Sequence, residues 1–235
     1  MIASARHLQP ELMDQPGIDA RDHRQALRGL ARVNWISGSA GLLWRPIRRI
    51  ARAAGGVPLR VLDIASGGGD VAIRLFRLAA ARGVQLDITG CDISQTAVDH
   101  ATKAAEHAGA AVRFERRDAL QDPPAEAYDV VTCSLFLHHL TEADAAALLR
   151  TMAASAERAV LVNDLARSRL GYALAQIGCR LLSRSPVVHY DGPRSVEGAF
   201  TLDEVRRLCD QAGLAGATVG RRWPCRFLMQ WDKPP

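Results

Sequence analysis

The chain has 235 residues, 48% hydrophobic and 23% charged, with a formal net charge of +5. That is enough for one good-sized α/β domain with an appendage, and it excludes a disordered chain. No apolar run approaches the roughly 18 residues of a membrane helix, so stable membrane insertion is not expected. Of the 30 basic residues only Lys103 and Lys233 are lysines. The arginines are scattered without the aromatic interleaving of a nucleic-acid surface, which argues against RNA or DNA as a partner.

The segment Met1 to His7 shows no basic region followed by an apolar one, so no secretory leader is expected there. Residues 1–55 read as irregular and then helical. Leu27, Leu30, Val33 and Ile36, then Leu42, Leu43, Ile47 and Ile50, recur at helical intervals. Gly38, Ser39 and Gly41 interrupt the pattern, Pro46 restricts it, and residues 55–58 form a linker. Strand patterns follow at 59–64, 86–91, 111–116, 128–133 and 159–163, alternating with helical patterns at 70–82, 94–108 and 142–156. Each helix reads as a crossover between parallel strands, which gives a doubly wound α/β sheet. Residues 165–184 carry Leu170, Leu174, Ile177 and Leu181 on one helical face, among several arginines, and 186–200 reads as a loop. Thr201 and Glu204 have capping-box spacing for a helix that Gly213 stops. Segments 216–222 and 225–231, joined at Pro224, read as an antiparallel hairpin at the sheet edge. The five cysteines, Cys91, Cys133, Cys179, Cys209 and Cys225, form no C-x-x-C pair. This points to reduced thiols in a cytoplasmic protein and away from a zinc site.

The chemistry concentrates after the first strand. Gly67, Gly68 and Gly69 follow Ala65 and Ser66 and feed a helix. A Gly-rich turn at a helix N-terminus lets a ligand sit against bare backbone, and with Ala72 the turn matches G-x-G-x-x-A, alone a weak fingerprint. Asp92 ends the next strand, where a carboxylate can accept hydrogen bonds from both ribose hydroxyls; the bland alternative is a helix cap. Asp63 lies inside the strand before the glycines. A buried carboxylate there would repel a pyrophosphate and favour a cationic ligand such as a sulfonium amino acid. Tyr128, Tyr172 and Tyr190 are followed four positions on by Thr132, Gln176 and Arg194, so the Tyr-x-x-x-Lys pair common in hydride transfer is missing.

Four segments in order, Val61 to Asp70, Gly90 to Ser94, Arg116 to Leu120 and Tyr128 to Leu140, resemble the motifs of class I S-adenosylmethionine-dependent methyltransferases. The match is dense over about residues 57–163, and the edge helix and hairpin at 201–231 also fit that fold. The resemblance implies a mostly parallel seven-stranded Rossmann-like sheet with an antiparallel edge hairpin, and S-adenosylmethionine as cofactor. By position, Asp63, Ala65, Ser66, Gly67 and Gly69 would hold its methionine end. Asp92 would take the ribose and Ile93 would pack on adenine. Asp118 and Ala119 would face the adenine amino group and ring, and Cys133 and Ser134 would floor the site. The family pattern has Gly where this chain has Ala65.

Residues 1–55 are expected to form a helical cap on a core of residues 56–235, with a substrate-side insertion at about 165–200. The segment Arg32 to Gly38, followed by Trp44 and Arg45, is similar to the entry helix of quinone-biosynthesis C-methyltransferases and implies a small aromatic or prenylated acceptor; Trp44 reads rather as a packing anchor. Arg32, Asn34, Trp35, Asn163, Asp164, Tyr190 and Arg194 are substrate-side candidates. His138 and His139, after the fourth strand, and His189, in the expected loop, are candidate general bases. No metal is expected. An Asn/Asp-Pro-Pro-Tyr/Phe motif is replaced by Cys133-Ser134-Leu135-Phe136, which argues against amide or nucleobase nitrogens as acceptors. The expected reaction is O-methylation of a phenolic or polyketide-type hydroxyl, with C-methylation of a quinol ring second. A nicotinamide-dependent oxidoreductase and a catalytically silent cofactor-binding partner protein are the remaining alternatives.

Overall fold

The computed structural model describes residues 5–15, 17–124 and 126–234. Met1 to Ser4, part of the segment without a leader pattern, lie outside the described residues. Seven strands form one sheet: β1 (Leu59–Ile64), β2 (Leu86–Asp92), β3 (Val112–Arg116), β4 (Tyr128–Ser134), β5 (Ala156–Leu165), β6 (Thr218–Arg222) and β7 (Arg226–Asp232). Their order is β3-β2-β1-β4-β5-β7-β6. Strands β1 to β5 run parallel, and β7 lies antiparallel between β5 and β6. The hairpin is present as expected, with its second strand inserted next to β5.

The central strands bury both faces, which explains their nearly continuous apolar runs. Val61, Val130, Leu161 and Leu228 face one core, shared with α2 (Ser39–Ala53) and α3 (Asp70–Ala80). Leu62, Val131, Val160, Phe227 and Met229 face the other, shared with α5 (Glu142–Ser155) and α8 (Leu202–Gln211). Asp63 and Thr132 occupy partnered register positions on β1 and β4, so an acid is built into the sheet itself. The chain runs outward from β1 through β2 to β3, then returns to β4 on the other side of β1. That reversal is the topological switch point where open α/β sheets bind ligands.

The other α-helices among the described residues are α1 (Ala20–Ile36), α4 (Gln95–Ala108), α6 (Arg169–Leu182) and α7 (Pro186–Gly198). Ala26, Cys179 and Val188 bury against each other and join α1, α6 and α7. No helix among the described residues is long and apolar enough to cross a membrane.

Two local expectations are corrected. Residues 186–200 are largely helix α7 rather than loop. Pro186 sits in the first turn, where its missing N–H costs nothing. Gly192 lets α6 approach closely, since a Cβ there would lie 2.3 Å from Cys179 Sγ. Burial of Val188 and Val196 stabilises a segment whose local sequence reads as a breaker. Likewise α2 runs through Gly41 and Pro46. Its apolar face of Leu43, Trp44, Ile47 and Ala51 is buried on the sheet. That packing outweighs the roughly 3 kcal/mol an internal proline costs.

Candidate active site

A cavity of about 1150 Å³ opens beyond the strand ends, between the turns after β1, β2 and β4 and helices α1 and α6. It has two polar ends of different chemistry.

At the first end the Gly67–Gly69 turn carries the chain from β1 into α3. Gly69 has φ +75°, and a Cβ there would lie 2.6 Å from Phe114 Cζ and 2.8 Å from Ala101 Cβ. Only glycine fits that backbone at that distance. Asp92 accepts hydrogen bonds from the N–H of Gly67 at 2.8 Å and of Ser94 at 2.9 Å, one on each oxygen. The helix cap on α4 is Ser94, whose Oγ accepts from the Ala97 N–H. Asp92 therefore tethers the turn and keeps lone pairs for a ligand, rather than capping the helix. Asp63 is 1% exposed and its Oδ1 accepts from Thr132 Oγ1 at 2.7 Å. Burial, reinforced by the charges of Asp70 and Asp92, pushes its carboxyl up to about 7. Burial also raises Asp70 and Asp92, against the hydrogen bonds that each accepts. Asp118 Oδ1 accepts from the N–H groups of Leu120 and Gln121. Ile93, Ala119, Ala65, Ser66 and Ser134 complete the wall with Asn34 from α1.

This end fits a cationic nucleoside ligand. Three carboxyls are held above their ordinary range, and a positive group beside them would stabilise their ionised forms. Asn34 Oδ1 and Ser134 Oγ are buried on the wall with no hydrogen-bond partner among the described residues. Cys133 does not reach the cavity; it is fully buried in the core.

The second end is built from the N-terminal arm and the turn after β4. Arg6 donates to the carbonyls of Gly198, His138 and Leu140 and lies over the Phe200 ring. Asp191 accepts from the N–H of Leu12 at 2.8 Å and of Met13 at 3.1 Å. Together they pin the arm so that Glu11 and Asp14 face His138 and His139. His138 Nδ1 donates to Asp164 Oδ1 at 2.6 Å, and His139 Nδ1 donates to Asp14 Oδ2 at 2.6 Å. Burial opposes a charge on His139, but the Asp14 hydrogen bond and the Glu11 carboxylate outweigh it and hold the ring at about 9. A carboxylate cluster thus exists outside the motifs that the sequence singled out. Glu11 and Asp14 carry no sequence pattern that would mark them, since a segment far from the fourth strand in sequence brings them in.

Several substrate-side expectations fall elsewhere. His189 Nε2 donates to the Ser183 carbonyl at 2.7 Å and is not on the cavity wall. Tyr190 stacks under the Arg194 guanidinium at 3.5 Å, outside the cavity. Arg32 and Trp35 do not line this cavity; they line a second depression, between α1, α3 and α4. Asn163 and Asp164 are buried and do not line the cavity; Asp164 reaches it only through His138. On α6 the lining residues are Gly171, Leu174, Ala175, Gly178, Cys179 and Leu182. Leu170, Ile177 and Leu181 point outward, being 56%, 60% and 78% exposed. The apolar stripe read from the sequence is therefore offset from the face that meets the cavity.

The three described non-glycine residues with positive φ, Ala65 at 54°, Leu135 at 58° and Cys225 at 47°, all line this cavity. Left-handed backbone at a side-chain-bearing residue costs about 1–3 kcal/mol, and such strain gathers at functional sites.

Residues 61–158 match the methyltransferase-domain family. The chain is 40% identical over 85 residues to the demethylmenaquinone methyltransferase of Deinococcus radiodurans, 36% of this chain and 34% of that one. It is 27% identical over 187 residues to a ubiquinone biosynthesis O-methyltransferase of Azoarcus, covering 78% of this chain and 70% of that one. The chain thus spans only about a third of the Deinococcus relative. Among solved structures, human N-acetylserotonin methyltransferase in complex with S-adenosylmethionine superposes with a TM-score of 0.67 at 18% identity, over 92% of this chain and 57% of that one. Magnesium protoporphyrin IX methyltransferase of Synechocystis gives a TM-score of 0.58 at 20% identity, over 86% and 87%. Residues 61–158 thus carry a methyltransferase domain, and the chain shares the fold of these methyltransferase structures.

Proposed function

We propose that the protein transfers a methyl group from S-adenosylmethionine to a small organic acceptor, an oxygen of a phenolic or polyketide-type hydroxyl. The observation that carries this reading is one cavity with two chemically different ends. Its volume of about 1150 Å³ exceeds the ~300–1,000 Å³ of a site for a single drug-sized ligand.

In this reading Asp92 accepts from the ribose hydroxyls, and Asp118 and Ile93 face adenine. Asp63, Asp70 and the orphaned Asn34 oxygen receive the ammonium and sulfonium charges. The bound cofactor supplies an electrophilic methyl. The residues at the far end align the acceptor oxygen in line with that methyl, a placement worth several kcal/mol of barrier. The O–CH3 bond would form as the S–CH3 bond breaks, with the bonding pair staying on sulfur, and the hydroxyl proton would leave toward Glu11 and His138. The N-terminal arm and α1, α6 and α7 form a cap that excludes water from this exchange.

The local identity to the Deinococcus demethylmenaquinone methyltransferase supports C-methylation of a quinol ring as a second reading. A panel of phenols, resorcinols and naphthoquinols, assayed for S-adenosylhomocysteine release with the new methyl located by NMR, separates the two. Methyl ethers support the first and ring-methylated products the second. Tight cofactor binding without turnover on any of them would favour a silent binding protein, and saturable binding of reduced nicotinamide cofactor an oxidoreductase.

A further inference from the structure

Glu11, His138 and His139 each offer a ligand atom, and these atoms all lie within 4.8 Å of one another. His138 Nε2 is 3.8 Å from Glu11 Oε1, and His139 Nε2 is 3.8 Å from Glu11 Oε2. Both separations are too long for a hydrogen bond. A tetrahedral ion with metal–ligand bonds of about 2.0–2.1 Å has ligand–ligand edges of roughly 3.4 Å, so each histidine–Glu11 separation is about 0.4 Å too long and the ion must draw the three side chains together.

The orientation of the two rings is the second, independent observation. A carboxylate has no proton to give, so each Nδ1 that faces one carries the hydrogen. His138 donates to Asp164 and His139 to Asp14, both at 2.6 Å. Each ring is then left with its Nε2 toward Glu11. Imidazole ligands of metals almost always have their other N–H held by a carboxylate or carbonyl in this way. Glu11 is also fixed, since Ser195 Oγ donates to its Oε1 at 2.6 Å. The three carboxylates Glu11, Asp14 and Asp164 outnumber the two rings, and a dication that displaces the His139 ring proton offsets most of their charge.

We propose that Glu11, His138 and His139 bind a divalent transition-metal ion, with two imidazoles and one carboxylate as ligands. Two nitrogen ligands select zinc, cobalt or nickel over magnesium and calcium. All three ligands line the cavity, so the open coordination position faces the space for the acceptor. An oxygen bound there loses its proton to solvent at a lower pH, and with the ion in place Glu11 and His138 serve as ligands instead of accepting that proton. The inference rests on the reading of this end as the acceptor end.

The test is a titration of the metal-stripped full chain with Co²⁺, followed by visible absorption and then by competition with Zn²⁺. One ion per chain, in a spectrum that Zn²⁺ abolishes, is expected. Glu11→Gln and His139→Ala should each weaken Co²⁺ binding at least tenfold, and Asp164→Asn by about 10–100-fold. Each variant should keep its calorimetric affinity for S-adenosylmethionine within about twofold, which shows that it is folded. A titration without a saturable spectrum overturns the proposal. So does equal Co²⁺ binding by parent and variants, which would place the ion on other histidines or cysteines. Methyl transfer without Co²⁺ binding would sink the metal site alone. Site-specific Co²⁺ binding without methyl transfer on any acceptor would sink the functional reading alone.

Discussion

Asp164 holds His138 at two points: Oδ1 accepts from the ring Nδ1 at 2.6 Å and Oδ2 from the backbone N–H at 3.1 Å. Burial opposes the charge on Asp164, yet the His138 ring keeps its carboxyl below the usual carboxylate range. Asp164 is thus a positioning residue, fixing which nitrogen of His138 faces the cavity. Asp164→Asn should lower turnover about 10–100-fold on an acceptor that the panel identifies, because a misoriented ring loses its function. The affinity for S-adenosylmethionine should stay within about twofold. A parallel loss of both would mark Asp164 as merely structural.

The pH dependence of the cofactor-free protein should carry the signature of Asp63. Its folded carboxyl lies at about 7, above the ordinary 3.8. The folded state therefore holds this proton more tightly than the unfolded state does. The stability contributed is fully present below about pH 4 and is lost as pH rises through about 7. Asp63→Asn removes this share, so the parent should lose stability relative to the variant between about pH 4 and 7, by a few kcal/mol at most. Urea denaturation at stepped pH measures the difference. Asp191 shifts the same way in both proteins and cancels, while Asp70 and Asp92 cancel apart from their coupling to Asp63. A parent-minus-variant difference that is flat with pH would mean that Asp63 is ionised in the apo fold.

Backbone conformation at the turn gives two opposite expectations. Gly69→Ala places a Cβ against Phe114 and Ala101 at φ +75°. It should cost about 2–4 kcal/mol from conformational strain and overpacking together. Ala65 at φ 54° already bears such strain, at the position where the family pattern has glycine. Ala65→Gly should stabilise by roughly 0.5–1 kcal/mol, the relief of left-handed strain less the added chain entropy. Denaturation midpoints moving in the same direction for both variants would refute the turn geometry.

The N-terminal arm depends on Asp191, which accepts from the amides of Leu12 and Met13. Asp191→Ala should release these two part-buried bonds. Amide exchange at Leu12 and Met13 should then accelerate at least about tenfold, as the loss of a net hydrogen bond of ~1–1.5 kcal/mol requires. Unchanged protection would show that Arg6 and Ser195 hold the arm without it.

The parts of the site legible in the sequence are those that one local segment encodes. The glycines, Asp63 and Asp92 lie at strand ends, and strand ends can be located from apolar runs and the turns that close them. The far end was only half legible. His138 and His139 stand out after the fourth strand, but Glu11 is 127 residues from His138 in sequence and is brought to it by the contacts of Arg6, Asp191 and Ser195. Helix α7 was misread for a related reason. Pro186, Gly192, Pro193 and Gly198 are breakers by local propensity, and burial against α6 overrides them. Tyr190 and Arg194 then fall on its outer side, where no reading of a loop would put them.

The central claim is that the Gly67 turn, Asp63 and Asp92 form a site for S-adenosylmethionine. Calorimetric titration of the parent and of Asp92→Ala tests it most directly. The account predicts saturable binding of one cofactor per chain to the parent, and affinity at least about tenfold weaker in the variant, as lost hydrogen bonds to a charged group require. Equal affinity in the two proteins, or no binding heat and no thermal shift in the parent at millimolar cofactor, would contradict it.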